Sequence, residues 1–129
     1  MSPLPELNTR RLLDAITAHQ DLKPLSGFEV AQIRRDAKSL MDRDASEAHM
    51  VLGALACELF DIEAMRSHHL TSIQFNPGNL DARSNFVISL SRSGFTQEAI
   101  EALQELVRRA PEYALEQCDA DPRGIWGSV

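Results

Sequence analysis

Asn76-Pro77-Gly78-Asn79 and, 34 residues after Pro77, Ala110-Pro111 close two copies of one helix-turn-helix pattern that together span residues 46 to 111. In the first copy Leu52, Leu55, Ala56 and Leu59 recur at i, i+3, i+4 and i+7, which places them on one helical face. Ile62, Met65, Leu70 and Ile73 then carry a second helix to the proline break. The second copy repeats the scheme with Ala82, Phe86, Val87 and Leu90, a turn at Gly94, and the strongly amphipathic run Ala99, Ile100, Leu103, Leu106, Val107 and Ala110. Helix pairs repeated at a fixed period bury their apolar faces on one another, and such arrays present surfaces for binding.

The residues at the key positions resemble the tetratricopeptide repeat. That pattern opens with a large residue, then Leu-Gly and a tyrosine-like position; an Ala, an aromatic and a closing Pro follow. The first copy, residues 46–79, offers His49, Leu52-Gly53, Ala56, Met65, His69 and Pro77. The second, residues 80–113, offers Arg83, Phe86-Val87, Leu90, Gly94, Ala99, Leu103 and Pro111. Its run Gly94-Phe95-Thr96-Gln97-Glu98-Ala99-Ile100 is similar to the family's turn into its second helix. The sequence departs from the pattern in lacking the opening tryptophan, in placing Phe60 at the first turn, and in having Met65 where Ala is usual.

This resemblance implies an all-α, right-handed stack of antiparallel helix pairs, six or seven helices in all. Its first helices would line a concave surface that binds another protein or a peptide segment. Carried over position by position, that surface is Glu47, Met50, Ala54, Cys57 and Glu58 from one copy and Asp81, Ser84, Asn85, Ile88, Ser91 and Arg92 from the other. Asn85 would hold a partner's backbone and Arg92 a carboxylate. The lysines and asparagine with which some family members clamp a terminal carboxylate have no counterparts at matching positions of the first copy. Gly53 lies inside a helix, where it costs about 1 kcal/mol relative to Ala, so it marks a close approach of the neighbouring helix.

Outward from the repeats, residues 1–8 read as an extended N-terminus, residues 9–118 as the helical domain and residues 119–129 as a tail. Asn8 or Thr9 can cap a first helix reaching about His19. Ser26 with Glu29 has capping-box form, and Val30, Ile33, Ala37 and Leu40 follow at helical spacing. These two helices form a degenerate pair that covers the first repeat. Ser46, Asp61 and Thr96 are placed to open the third, fourth and sixth helices, with the fifth over residues 80–93. Pro111 suits the first turn of a short seventh helix ending near Cys118. A helix of about two turns leaves part of Leu103, Leu106 and Val107 uncovered, which makes Tyr113, Ile125 and Trp126 candidates for a homodimer contact.

The formal charge of −6 lies wholly in the second part of the chain: residues 1–45 hold seven basic and seven acidic residues, and residues 46–129 hold six against twelve. An acidic chain is repelled by phosphate backbones, so neither nucleic acid nor a membrane surface is expected as a partner. Arg34, Arg35, Lys38 and Arg43 are interleaved with Asp36 and Asp42 and read as a solvated face. Cys57 and Cys118 lack metal spacing and read as free thiols. With no apolar leader or spanning run, they point to a soluble cytoplasmic protein.

His49, His68 and His69 include no complete ligand set, since neighbouring helical residues diverge by about 100°; no metal or other cofactor is expected. His69 occupies an aromatic-like core position that a partly buried, hydrogen-bonded imidazole fills. No phosphate loop, metallohydrolase motif or nucleophile elbow is present in the sequence. The reading is therefore a non-catalytic adaptor, chaperone or assembly factor. Small acidic repeat chaperones of bacterial secretion systems match it in size and charge. Self-association through the C-terminal end, and a regulator whose basic cluster meets nucleic acid or an acidic partner, are the other readings.

Overall fold

The computed structural model describes residues 9–17 and 24–120, with side chains to residue 117. Among the described residues there are seven α-helices and no strands: α1 (Thr9–Thr17), α2 (Gly27–Met41), α3 (Ala45–Glu58), α4 (Ile62–Phe75), α5 (Leu80–Arg92), α6 (Thr96–Arg109) and α7 (Pro111–Ala120). The expected extended segment before residue 9, the end of the first helix near His19, and Ile125 and Trp126 lie outside the described residues.

Most helix starts follow from the short polar residue ahead of them. Ser26 accepts from the Glu29 amide and the Glu29 carboxylate reaches back to the Ser26 amide, closing the expected capping box. Asp61 and Asn79 cap α4 and α5 in the same way. The start of α3 differs from expectation. Its cap is Asp44, which accepts from the Glu47 amide at 3.1 Å, while Ser46 sits inside the helix. Ser46 is buried, and its hydroxyl donates to the Ser72 carbonyl at 2.8 Å while the Ser72 hydroxyl donates to the Ser46 carbonyl at 2.6 Å. A carboxylate at the solvent edge serves the helix end, which frees the serine to bond the next helix. Helix α6 starts behind Phe95 without a side-chain cap, and α7 runs two residues past Cys118.

Helix α3 is the hub. It packs against α1, α2, α4 and α5, while α5 also meets α4 and α6, and α7 closes on α6. One core cluster joins Leu12 and Ile16 of α1, Ile33, Ala37 and Leu40 of α2, and Ala48, Val51 and Leu55 of α3. A second gathers Ala56, Cys57, Met65, Leu90 and Ala99, and a third Val87, Leu106 and Ala114. The N-terminal helices thus cover α3 as the degenerate pair was expected to do.

The period of the sequence reappears in the backbone. At the α3–α4 turn the Phe60 amide donates to Cys57 and the Asp61 amide to Ala56; at the α5–α6 turn the Gly94 amide donates to Ser91 and the Phe95 amide to Leu90. Each bond of the second set lies 34 residues beyond its counterpart in the first. Phe60 and Gly94 both take positive φ, 59° and 87°. Glycine adopts that conformation freely, whereas a phenylalanine there is strained.

Gly53 makes the close approach that its position suggested. A Cβ there would lie 2.8 Å from two atoms of the His69 ring, itself completely buried. That ring cannot move aside, because it is stacked on Phe86 and bonded to Ser89. Two substitutions read out these constraints. Gly53→Ala should destabilise by about 1–3 kcal/mol in urea denaturation despite its better helix propensity, since overpacking outweighs a propensity gain of about 1 kcal/mol. Phe60→Gly should stabilise by about 1 kcal/mol, because the side chain is 86% exposed and its removal relieves the left-handed backbone; an unchanged or lowered midpoint would show that the turn is not strained.

Candidate interaction groove

One face of α1, α3, α5 and α7 encloses a groove of about 980 Å³. Ten of the eleven residues expected on a concave face line it: Glu47, Met50, Ala54, Cys57 and Glu58 of α3 with Asp81, Ser84, Asn85, Ile88 and Arg92 of α5; Ser91 does not. They converge because the two helices run parallel and side by side. Asn79 donates to Ser46, Asn85 to the Met50 sulfur and Arg92 to Glu58, at separations of 33, 35 and 34 residues, and Cys57 meets Ser89 and Ser93, 32 and 36 residues on.

The floor and the rim differ from what the sequence suggested. Met50, Cys57 and Ser84 are buried, so they form the floor rather than an open surface. Cys57 is a free thiol directed at the Ser89 carbonyl. Arg92, expected to hold a partner's carboxylate, bonds Glu58 at 2.9 Å, which satisfies its charge within the chain. Asn85 spends its amide donors on the Asp81 carbonyl and the Met50 sulfur, at 2.8 and 3.4 Å, rather than presenting them to a partner backbone. Tyr113 faces the groove, and its hydroxyl donates to Asp81. Burial and that bond push its phenol well above the usual range.

Helix α1, expected only as part of a covering pair, supplies one wall through Thr9, Arg10, Leu13 and Asp14. The signal was present in the sequence: α1 is the first helix of the degenerate pair, the position that faces the groove in the other two pairs. On the far side, Leu106 is covered while Val107 stays 44% exposed, beside a shallow depression formed with Ile100 and Leu103.

Charge is uneven along the groove. At one end, where α1, α3 and α5 begin, stand Glu47 and Asp81; at the other, Glu58 and Arg92 neutralise each other. Burial raises the Glu47 carboxyl above its ordinary value, Asp44 and Asp81 raise it further, and hydrogen bonding by Thr9 and Asn79 acts in the opposite direction. Its Oε2 is buried and accepts no hydrogen bond from the described residues.

The histidines occupy the other side of α3. His49 meets His68, not His69: the two Nδ1 atoms are 3.0 Å apart, one donating and one accepting, and Phe75 stacks on His49. Among the described residues no three His, Cys, Asp or Glu side chains gather as metal ligands. His69 is wholly rather than partly buried, and its Nε2 pairs with the Ser89 hydroxyl at 2.8 Å. Its Nδ1 has no partner among the described residues, so a proton on Nε2, donated to Ser89, leaves only a lone pair unsatisfied. Burial drives the His69 pKa down to about 3, with a further push from His68.

The chain matches no protein-family model, no curated protein and no solved structure. No helix among the described residues is long and apolar enough to cross a membrane.

The buried imidazoles set a pH dependence. His69, His68 and His49 all have folded-state pKa values below the ordinary 6.5. The unfolded chain therefore takes up protons that the folded chain refuses. Stability should be full above pH 6.5 and fall as the pH drops toward the folded values, by about 2 kcal/mol at pH 5 from His69 alone. Glu47, raised rather than lowered, acts in the opposite sense, adding stability as the pH falls through its raised value toward 4.5. Urea denaturation at pH 7.5, 6 and 5 measures the fall, and His69→Gln should make it shallower. An equal slope in that variant would place the titration elsewhere.

Proposed function

We propose that this chain is a non-catalytic protein-interaction module of the tetratricopeptide-repeat kind, a right-handed stack of helix pairs that takes a segment of another protein along its groove. The observation that carries this reading is the convergence of residues 34 apart in sequence, from α3 and α5, on one continuous concavity. A lining drawn from the first helices of three successive pairs and from α7 suits an extended or helical chain better than a compact metabolite. The matched turns support the repeat assignment, since the same backbone bonds recur after one period.

Its role is that of an adaptor, chaperone or assembly factor in the cytoplasm. The free buried thiol of Cys57 suits a reducing compartment. The groove holds structural pairings, with Glu58 bonded to Arg92 and Asp81 to Tyr113, and these side chains are occupied in holding helices together rather than poised as an acid, a base or a nucleophile.

Selection of peptides from a phage-displayed random library tests the site. Ala54→Tyr, which fills the groove without adding charge, should weaken the selected peptides at least tenfold in fluorescence anisotropy, whereas Arg34→Glu on the exposed face of α2 should leave them unchanged. Binding indifferent to Ala54→Tyr would move the site off the groove.

A further inference from the structure

The groove's charges pair off unequally. Among its lining residues Arg92 is bonded to Glu58 at 2.9 Å and Arg10 lies 4.0 Å from Asp14. Glu47 and Asp81 are the other two lining carboxylates, and no cation of the described residues forms an ion pair with either. An acid in the first turn of a helix is favoured by the helix dipole, and both residues occupy first turns, of α3 and α5. The dipole does not explain the rest of the arrangement. Asp44 and Asp81 both act on Glu47 with like charge, and its Oε2 is buried and accepts no hydrogen bond from the described residues. Burying a carboxylate oxygen unsatisfied costs stability, and a positive charge brought to this end of the groove offsets that cost.

We infer that the segment this groove accepts is basic, and that it seats a lysine or arginine side chain at the Glu47–Asp81 end. The inference rests on the groove reading above and adds the chemistry of the partner. Charge complementarity supports it at two scales. The groove lining carries Asp14, Glu47, Glu58 and Asp81 against Arg10 and Arg92, and the chain as a whole carries −6. A basic segment is therefore drawn toward this molecule from a distance and then finds the two carboxylates that no cation of the described residues pairs. An acidic segment meets repulsion at both stages. The expected carboxylate-holding role of Arg92 is thereby replaced by the opposite preference.

The probe is a phage-displayed library of random 12-residue peptides, selected on the full chain and re-sorted by loss of binding to Ala54→Tyr. Peptides that depend on the groove should be enriched in Lys and Arg over the unselected library. The tightest of them should bind Asp81→Asn at least tenfold more weakly, and Glu47→Gln likewise, with the salt dependence of binding reduced in both. Asp81 is exposed, so Asp81→Asn keeps the test open should Glu47→Gln fold poorly. Groove-dependent peptides that are neutral or acidic, or that bind Asp81→Asn as tightly as the parent, overturn the basic-segment inference and leave the groove reading standing. A selection that yields nothing, or only peptides indifferent to Ala54→Tyr, overturns both.

Discussion

The structure depends on how closely α3 can approach α4. At one point of that contact Gly53 lies against the edge of the His69 ring, and at another Ser46 and Ser72 exchange hydroxyl-to-carbonyl bonds. Both contacts require small residues on α3 and leave no space for a larger side chain. With α3 drawn down onto α4, its opposite side becomes free to meet α1 and α5, and those contacts shape the groove. The helix-weakening glycine is thus offset by packing that reaches several elements at once. His69 completes this arrangement by stacking on Phe86 and bonding Ser89, both from α5, so one imidazole connects the two helix pairs. Its neutrality is a condition of that role, since a buried imidazolium would lack both solvation and a counter-ion.

The second constraint is the period. Side chains on α3 meet side chains on α5 at nearly the same position in the pattern, and α4 meets α6 in kind: Arg66 forms a double hydrogen bond to Glu98, 32 residues on, while lying over the Phe95 ring at 4.3 Å. A fixed offset between parallel helices means that whatever faces outward from one first helix faces the same way from the next. The groove is therefore a consequence of repetition, and it needs no dedicated loop or insertion.

This is also why so much of it was legible beforehand. Periodicity locates the helices, the prolines and Gly94 locate the breaks, and equivalence of positions groups ten of the lining residues. What could not be read was depth. Met50 and Ala54 are about one turn apart and Cys57 and Glu58 are neighbours, and only the distance to α5 decides which become floor and which become rim. Pairing was equally hidden: Arg92 looks available in sequence, and it is the parallel course of α3 and α5 that brings Glu58 to it. The histidines show the same limit. His68 and His69 are adjacent and point about 100° apart, so the rotational setting of α4 against its neighbours decides which of them meets His49 and which enters the core. Ser46 was misassigned for a different reason. A serine before a helical run satisfies the local rule for a cap, but Asp44 satisfies it too, and the choice follows from the carbonyl of Ser72 waiting on the adjacent helix.

An uneven groove also has a direction. At one end three helices begin, and the carboxylates there form no ion pair with a cation of the described residues; at the other, two helices end with Glu58 and Arg92 locked together. Helix dipoles point the positive ends of α1, α3 and α5 toward the acidic end, which steadies Glu47 and Asp81 as anions without supplying them a counter-charge. On the proposed reading, a bound segment gains a charge-assisted contact at only one end, while along the rest of the groove Ala54 and Ile88 offer apolar contact that is indifferent to direction. Orientation would then be fixed by charge and extent by apolar burial, so that a segment with its basic residue at the wrong end could occupy the groove but not satisfy it. The same division explains why Arg92 is better spent on Glu58. An unpaired guanidinium at the far end would add a positive charge to the groove and repel a basic segment.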